Sequence, residues 1–514
     1  MPMTLPSRLC SAAAGAALLA AAGCGQQSEP GGDAVGEASA SVTNVVMICI
    51  DTVRWDSWWI PERAGFTDDF TPWARRAQVM SHTLSAAPWT VPSVGSILSG
   101  LYPSQHGGGL FDGPVANLAE EVPSALSPAA PMLAESLQQA GYRTGAVSSH
   151  PWFDANYGFQ RGFERVQLIS GAEKVSARGL EWLDAAPDAG SPFFLYMHYM
   201  DVHDPHLDLA GSRRTAERMP AERRERLLAT APESACGDDP GSDMCARYLT
   251  YAESTLRMRN QMASLLERLA GRGLLDDTLV VIYSDHGEEF HEHLAVSRQR
   301  DEDPRGIHGF GHGQSLYQEL LHVPLLLWHP DLDGREVDLP VSLVDVWPTL
   351  SEWLGVPMPE DYAFPGRSFA VAVESADSAP FAWRDDPVQW HRASDRPLFA
   401  SGIAYGPPQM AVVDGVTKLI WRESDNSREY YDLRADPAER RPVLDADERV
   451  ADRLEADLDR YFGWYDDQDY LPPELSDDVV EKLKGVGYLQ GVDSGDDEAE
   501  SGTGPDEPGD DPTP

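Results

Sequence analysis

Lysine is nearly absent from this chain: of 40 basic residues only Lys174, Lys418, Lys482 and Lys484 are Lys, and the rest are Arg. Against them stand 83 acidic residues, for a net charge of −43 at pH 7. That balance excludes nucleic acid and an anionic membrane surface as principal partners, because both are held by basic patches. Nine of the acids lie between Asp493 and Pro514, in a tail with no base. The body of the chain stays strongly acidic without them, so handling an anionic substrate needs positive charge concentrated locally, and a metal ion is the usual device. Long apolar runs are also missing. Beyond the N-terminus no stretch reaches the roughly 18 apolar residues of a spanning helix, which counts against a multi-span membrane enzyme. Cysteine is sparse, five in 514 residues, so each can be read individually.

What is present begins with an export signal. Arg8 opens it, Ala12 to Ala22 form an apolar segment too short to cross a bilayer, and Ala21-Ala22-Gly23 precede Cys24. Residues 1–24 resemble a bacterial lipoprotein signal, with Cys24 as the lipidated residue. Ala21 stands where such signals more often carry Leu, which leaves simple cleavage open. Either route exports the protein to the periplasm or cell surface, with a lipid anchor as its only membrane attachment. Residues 25–42 read as a flexible tether. Export makes a disulfide between Cys236 and Cys245 the expectation, across a loop with Asp, Pro and Gly. Cys49, inside an apolar run, reads as a small buried hydrophobe.

Asn44 to Ile50 is continuously apolar after its first residue, as a strand buried on both faces would be, and Asp51 follows it. Pro192 to Met197 is a similar run with His198, Asp201, His203 and His206 at its end. Thr278 to Tyr283 is a third, delivering Ser284-Asp285-His286-Gly287-Glu288. Helical patterns lie between them, Pro131 to Ala140 and Ala246 to Gly271 among them, and Ser342 to Gly355 reads as a further helix. Strands alternating with helices predict a doubly wound α/β fold, whose ligands bind beyond the carboxyl ends of the strands. Three strands that each end in Asp or His therefore point to one site. A fourth contributor is Thr90, predicted just ahead of a helix that has Pro92 in its first turn and Gly100 as its stop. There a hydroxyl would sit near unsatisfied N–H groups and the positive end of the helix dipole. From about Leu398 short runs separated by turns predict a small antiparallel sheet, with Arg449 to Phe462 as a helix against it. The expected organisation is a catalytic domain over 43–395, a C-terminal subdomain over 396–490 and an acidic tail over 491–514.

These residues come in the order seen in sulfatases and their relatives in the alkaline phosphatase superfamily. Asn44 to Asp56, Thr90 to Ser93, His106-Gly107, Gly141 to Thr144, Asp201 to Pro205, Ser284 to Glu288, His312-Gly313 and Val323 to Leu325 carry the resemblance, which covers roughly 43–490. It implies an alkaline phosphatase/sulfatase-like mixed sheet flanked by helices. It implies Asp51, Asp285 and His286 as metal ligands, and Thr90 as the nucleophile that also touches the metal. His203 and His312 would contact the substrate, protonate the leaving group, or hold a second metal. Three oxygens and an imidazole suit Zn²⁺ or Mn²⁺, with Ca²⁺ an alternative if further oxygens join.

The departures bear on the substrate. Typical sulfatases have Cys or Ser at the position of Thr90, oxidised to an aldehyde, and Arg at the position of Val94. Oxidised Thr would be a ketone. Thr52 replaces the second Asp of the usual pair, and Val147 to His150 replace a segment that carries a sulfate-binding Lys. The expectation is an exported, metal-dependent hydrolase of small anionic phosphate mono- or diesters acting through covalent Thr90. A sulfuric ester is the alternative substrate, and a phosphotransferase or a non-catalytic binding lipoprotein the further alternatives. Oligomeric state is left open by the sequence.

Overall fold

A computed structural model describes residues 42–111, 122–154, 156–185, 190–203, 205–374, 396–443, 448–462 and 471–485. The signal with Cys24, most of the tether, and the acidic tail lie outside the described residues.

Fourteen strands are described. In chain order they are β1 Asn44–Ile50, β2 Gln78–Leu84, β3 Arg143–Ser148, β4 Arg165–Leu168, β5 Phe193–Tyr199, β6 Thr278–Tyr283, β7 Glu289–Phe290 and β8 Phe310–Gly311. β9 Leu325–Trp328, β10 Arg335–Ser342, β11 Leu398–Ser401, β12 Gln409–Asp414, β13 Thr417–Arg422 and β14 Arg428–Asp432 follow. Eight form one sheet in the order β10-β2-β9-β6-β1-β5-β3-β4. Every neighbouring pair is parallel except the two that β9 makes with β2 and β6. The sheet is thus mixed, with one reversed strand.

Burial on both faces explains the unbroken apolar runs. Along β1, Val45, Met47 and Cys49 enter one core with the helices Thr90–Ser99 and Val346–Leu354. Val46, Ile48 and Ile50 enter the other, with the helices Ala172–Asp184 and Asp243–Ala270. Alternate side chains of a strand point to opposite faces, so a strand covered twice has no polar side to show. Trp55, Trp58, Trp59 and Trp89 are buried in these cores. The long helix begins at Asp243, ahead of the expected Ala246, because Ser242 caps it by accepting from the Cys245 amide at 3.2 Å. Cys236 and Cys245 are joined by a disulfide, and Cys49 is a free, buried thiol.

β11 to β14 make a separate antiparallel sheet. The helix Glu448–Phe462 lays Leu454, Leu458 and Tyr461 against Met410, Val412 and Leu419 of this sheet. Among the described residues no helix is long and apolar enough to cross a membrane.

Candidate active site

The strands β6, β1 and β5 are neighbours at the centre of the large sheet. Asp285 and His286, Asp51, and His198 with His203 therefore leave adjacent strand ends on the same rim. β3 adds His150 beside them, and β2 leads into the helix that carries Thr90. Thr90 is the first residue of that helix, not the residue before it: Trp89, extended at φ −161°, makes the boundary. The hydroxyl therefore belongs to the helix's own first turn, where the free N–H groups lie. Ser93 pins this turn to the end of β6 by donating to the Asp285 carbonyl at 2.7 Å. Below it, His106 sits against the Pro92 carbonyl at 3.1 Å and the Ser96 hydroxyl at 3.0 Å. Burial holds His106 far down, to about 3, so the His106-Gly107 motif is a clamp under the helix. Val94 is wholly buried in the core.

Thr90 Oγ1 lies 3.3 Å from His286 Nε2 and 3.4 Å from Asp51 Oδ2. His286 Nε2 is in turn 3.4 Å from Asp51 Oδ1 and 3.6 Å from Asp285 Oδ2. His286 Nδ1 is 2.9 Å from the Gly287 carbonyl, which only accepts, so Nδ1 carries the hydrogen and Nε2 turns a lone pair inward. Gly287 is required here for close approach: a Cβ would run into the Glu319 carbonyl oxygen. Asp51 Oδ1 and Asp285 Oδ2 are buried without a hydrogen-bond partner.

Asp51, Asp285 and His286 thus aim unsatisfied lone pairs at one point. A tetrahedron with bonds of roughly 2.1 Å has edges of about 3.4 Å, so the spacing fits a zinc-like ion. Electrostatics agree. Burial pushes the Asp51 carboxyl up, but the His198 hydrogen bond and the imidazoles of His203, His286 and His150 outweigh it and hold it low. Burial and the charge of Asp51 push Asp285 up. Two carboxylates forced apart in this way are short of one nearby cation.

His203 and His312 are brought to the same place. Their rings are 5.0 Å apart, and His312 is 4.5 Å from the His286 ring. His312 Nδ1 donates to Glu288 Oε2 at 3.1 Å, and burial lowers its pKa to about 4, so its Nε2 also presents a lone pair. Thr52 is removed from the cluster. It adopts a left-handed φ of 62° and its hydroxyl donates back to the Asp51 carbonyl at 2.7 Å. Arg54 is an ion-pair residue, bonded through Nε and Nη2 to Asp56 at 2.9 Å each, with Glu292 on Nη1. Asp201 accepts from the Ala172 amide at 2.9 Å and so tethers a helix start.

Four members of this cluster carried no role in the sequence reading: His150, His198, His206 and Glu288. His198 Nε2 donates to Asp51 Oδ2 at 3.0 Å, and its Nδ1 faces the Tyr196 hydroxyl at 3.1 Å. His206 Nε2 lies 3.4 Å from Glu288 Oε2. His150 lies two residues past the end of β3, behind Ser148 and Ser149, so the polar residues that the strand-end rule meets first are the serines. For His198 the signal was a polar residue within an apolar strand.

The Sulfatase family model matches residues 43–356. The low-salt glycan biosynthesis sulfotransferase Agl7 of Haloferax volcanii is 26% identical over 313 residues, 61% of each chain. An uncharacterized sulfatase of Escherichia coli, YidJ, is 24% identical over 300 residues, 56% of this chain and 53% of its own. The chain thus spans less than two thirds of the length of both curated relatives. Among solved structures, one described as in complex with its substrate D-glucosamine-2-N,6-O-disulfate superposes with a TM-score of 0.57 at 17% identity, over 84% of this chain and 99% of that one. A phosphonate monoester hydrolase from Silicibacter pomeroyi gives 0.54 at 18%, over 82% and 94%. At these identities the likeness is one of fold.

Proposed function

From the premise that the chain belongs to the sulfatase family, we propose that it is a metal-dependent ester hydrolase whose nucleophile is Thr90, acting on small phosphate mono- or diesters. The observation that carries this reading is the position of the Thr90 hydroxyl, 3.3 Å from His286 and 3.4 Å from Asp51 at the first turn of a buried helix.

Sulfatase-family enzymes use a divalent metal ion, and Asp51, Asp285, His286 and Thr90 are the residues to hold it, as Zn²⁺ or Mn²⁺ with Ca²⁺ the alternative. When bound it would lower the pKa of the Thr90 hydroxyl and neutralise a substrate oxygen. Thr90 Oγ1 attacks the phosphorus, its proton passes to Asp51 Oδ2 3.4 Å away, and the bond to the leaving oxygen breaks. The free helix N–H groups favour the anion that approaches. His203 is assigned the proton for the leaving oxygen. His312, neutral with its lone pair inward, suits the base that takes a proton from water as that water attacks the phosphoryl-Thr ester in line, breaking the bond to Thr90 Oγ1, which recovers its proton from Asp51. Glu288 holds the His312 ring for that step.

A sulfuric ester is the second reading. Relatives named as sulfatases favour it, whereas Thr in place of an oxidisable Cys or Ser favours phosphorus. Export through residues 1–24, with Cys24 lipidated, belongs to the same proposal.

The test is intact-mass trapping with bis-p-nitrophenyl phosphate, p-nitrophenyl phosphate and p-nitrophenyl sulfate. A phosphoryl adduct on Thr90 is expected, with Thr90→Ala losing at least about 10³-fold in kcat. Turnover surviving in Thr90→Ala would end the nucleophile assignment.

A further inference from the structure

His150 is oriented opposite to the histidines around it. Pro151 follows it and keeps its backbone extended, at φ −84° and ψ 127°. Its amide donates to the Ser148 hydroxyl at 3.0 Å. Its Nδ1 accepts from the Trp152 amide at 3.2 Å, capping the short turn Pro151–Phe153. A nitrogen that accepts an N–H holds a lone pair, so the ring hydrogen must be on Nε2. That N–H is turned inward, 3.6 Å from Asp51 Oδ2, in a ring with no solvent exposure. His286 and His312 commit Nδ1–H to Gly287 and Glu288 and turn lone pairs inward. His198 spends its inward N–H on Asp51 at 3.0 Å. Asp51 Oδ2 is also the atom that lies 3.4 Å from Thr90 Oγ1, so the inward N–H of His150 and the nucleophile flank a single oxygen.

The lysines and Arg54 are committed elsewhere. Lys418 is buried against Glu439 at 2.7 Å, Lys174 and Lys484 are exposed, and Lys482 pairs with Asp154 and Asp478. Arg54 is held by Asp56 and Glu292.

We infer that His150 Nε2–H donates to a non-bridging oxygen of the ester group that Thr90 attacks, and that this neutral donor in place of a cation selects singly charged ester groups. The inference rests on the Thr90 reading. A phosphodiester or a sulfate monoester carries one negative charge at its tetrahedral centre, and a phosphate monoester carries close to two at neutral pH. The carboxylates of Asp51, Asp285 and Glu288 surround the site, and the two guanidinium groups whose charge reaches Glu288 are held by other partners: Arg247 by the His206 and Leu207 carbonyls at 2.7 Å each, Arg305 by Asp303. His150 is thus a substrate-contacting and specificity-determining residue.

The experiment compares wild type, His150→Asn and His150→Lys on bis-p-nitrophenyl phosphate, p-nitrophenyl sulfate and p-nitrophenyl phosphate, with bound metal measured on each sample. Asn preserves the cap on Trp152, since its oxygen is a preferred cap acceptor, and is too short to reach the ester. Wild type is expected to prefer a singly charged substrate. His150→Asn should lose about 10²-fold in kcat/KM on it, the scale of one oxyanion donor, at unchanged metal content. His150→Lys should move the ratio of kcat/KM values toward p-nitrophenyl phosphate. Unchanged kcat/KM in His150→Asn, a loss that tracks loss of metal, or a wild-type preference for p-nitrophenyl phosphate would each overturn the inference. None of these outcomes touches Thr90, whose own failure is read from turnover in Thr90→Ala.

Discussion

Among the described residues two buried clusters meet one description, carboxylates and an imidazole close enough to share an ion: Asp51, Asp285 and His286 at the sheet rim, and Glu289, His293 and Glu319 near the small sheet. Their hydrogen bonds separate them. In the second cluster His293 Nδ1 is 2.6 Å from Glu319 and its Nε2 donates to the Glu439 carbonyl at 3.0 Å. Glu289 accepts from the His293 amide at 3.1 Å and from Gln314 at 2.9 Å. The imidazole is a cation paired with a carboxylate: burial pushes it down, yet Glu319 carries its pKa up to about 9. At the rim, His286 presents a lone pair and two carboxylate oxygens have no hydrogen-bond partner. Donor types in proximity do not make a metal site; lone pairs left over after internal bonding do.

The largest expected effect tests that distinction directly. Asp285→Asn should abolish stoichiometric metal binding, measured by elemental analysis after dialysis, and lower kcat/KM by more than the roughly 10–100-fold that loss of an outer partner brings. Glu319→Gln should leave metal content at the wild-type level. If Glu319→Gln removes metal and Asp285→Asn does not, the two clusters have been assigned the wrong way round.

Glu319→Gln should act on stability instead. Removing one partner of a buried pair costs about 3–5 kcal/mol, read as a fall in Tm. The pH dependence has a definite sign. His293 is raised from an ordinary value near 6.5 to about 9, so its contribution is complete below about pH 6.5 and is lost as pH rises through 9. Glu319 is lowered, by His293 against burial, so its part is present above the ordinary range near 4.5 and is lost as pH falls. Wild-type Tm should therefore decline between about pH 6.5 and 9, and Glu319→Gln should flatten that decline. An equal slope in both proteins would show that the pair is not what titrates.

The rim was far more legible in the sequence than the pair. Asp51, Asp285 and His286 announce themselves because a strand buried on both faces must be apolar, and the first polar residue after it marks the rim. Thr90 was misplaced by one position, since the helix accepts Thr at its first residue with Pro92 two residues on. His150 is less legible than Asp51, because Ser148 and Ser149 stand between the apolar run of β3 and the imidazole. His198 lies inside a strand, where no turn chemistry flags it, and its role depends on which neighbour its nitrogens meet. The His293 and Glu319 pairing joins positions 26 residues apart across the two-residue ladder of β7 and β8, whose connection contains the helix Leu294–Arg300. Their local sequence is simply polar, so nothing in it specifies the partner.

The smallest effect concerns what lies beneath the rim. His198 Nε2 donates to Asp51, and carboxylates only accept, so its Nδ1 must take a hydrogen from the Tyr196 hydroxyl 3.1 Å away. Tyr196 in turn faces the Tyr283 hydroxyl at 3.3 Å. Tyr196→Phe removes the donor that fixes this tautomer while keeping the ring in the core. The flipped tautomer would turn a lone pair toward Asp51 and rotate its carboxylate off the metal. Metal affinity should fall about tenfold, the lower end for an outer-shell partner, with kcat at saturating metal nearly unchanged. A competition titration against a chelator reads this, and an unchanged affinity would mean that packing against His150 and Phe153, not the Tyr196 hydroxyl, orients His198.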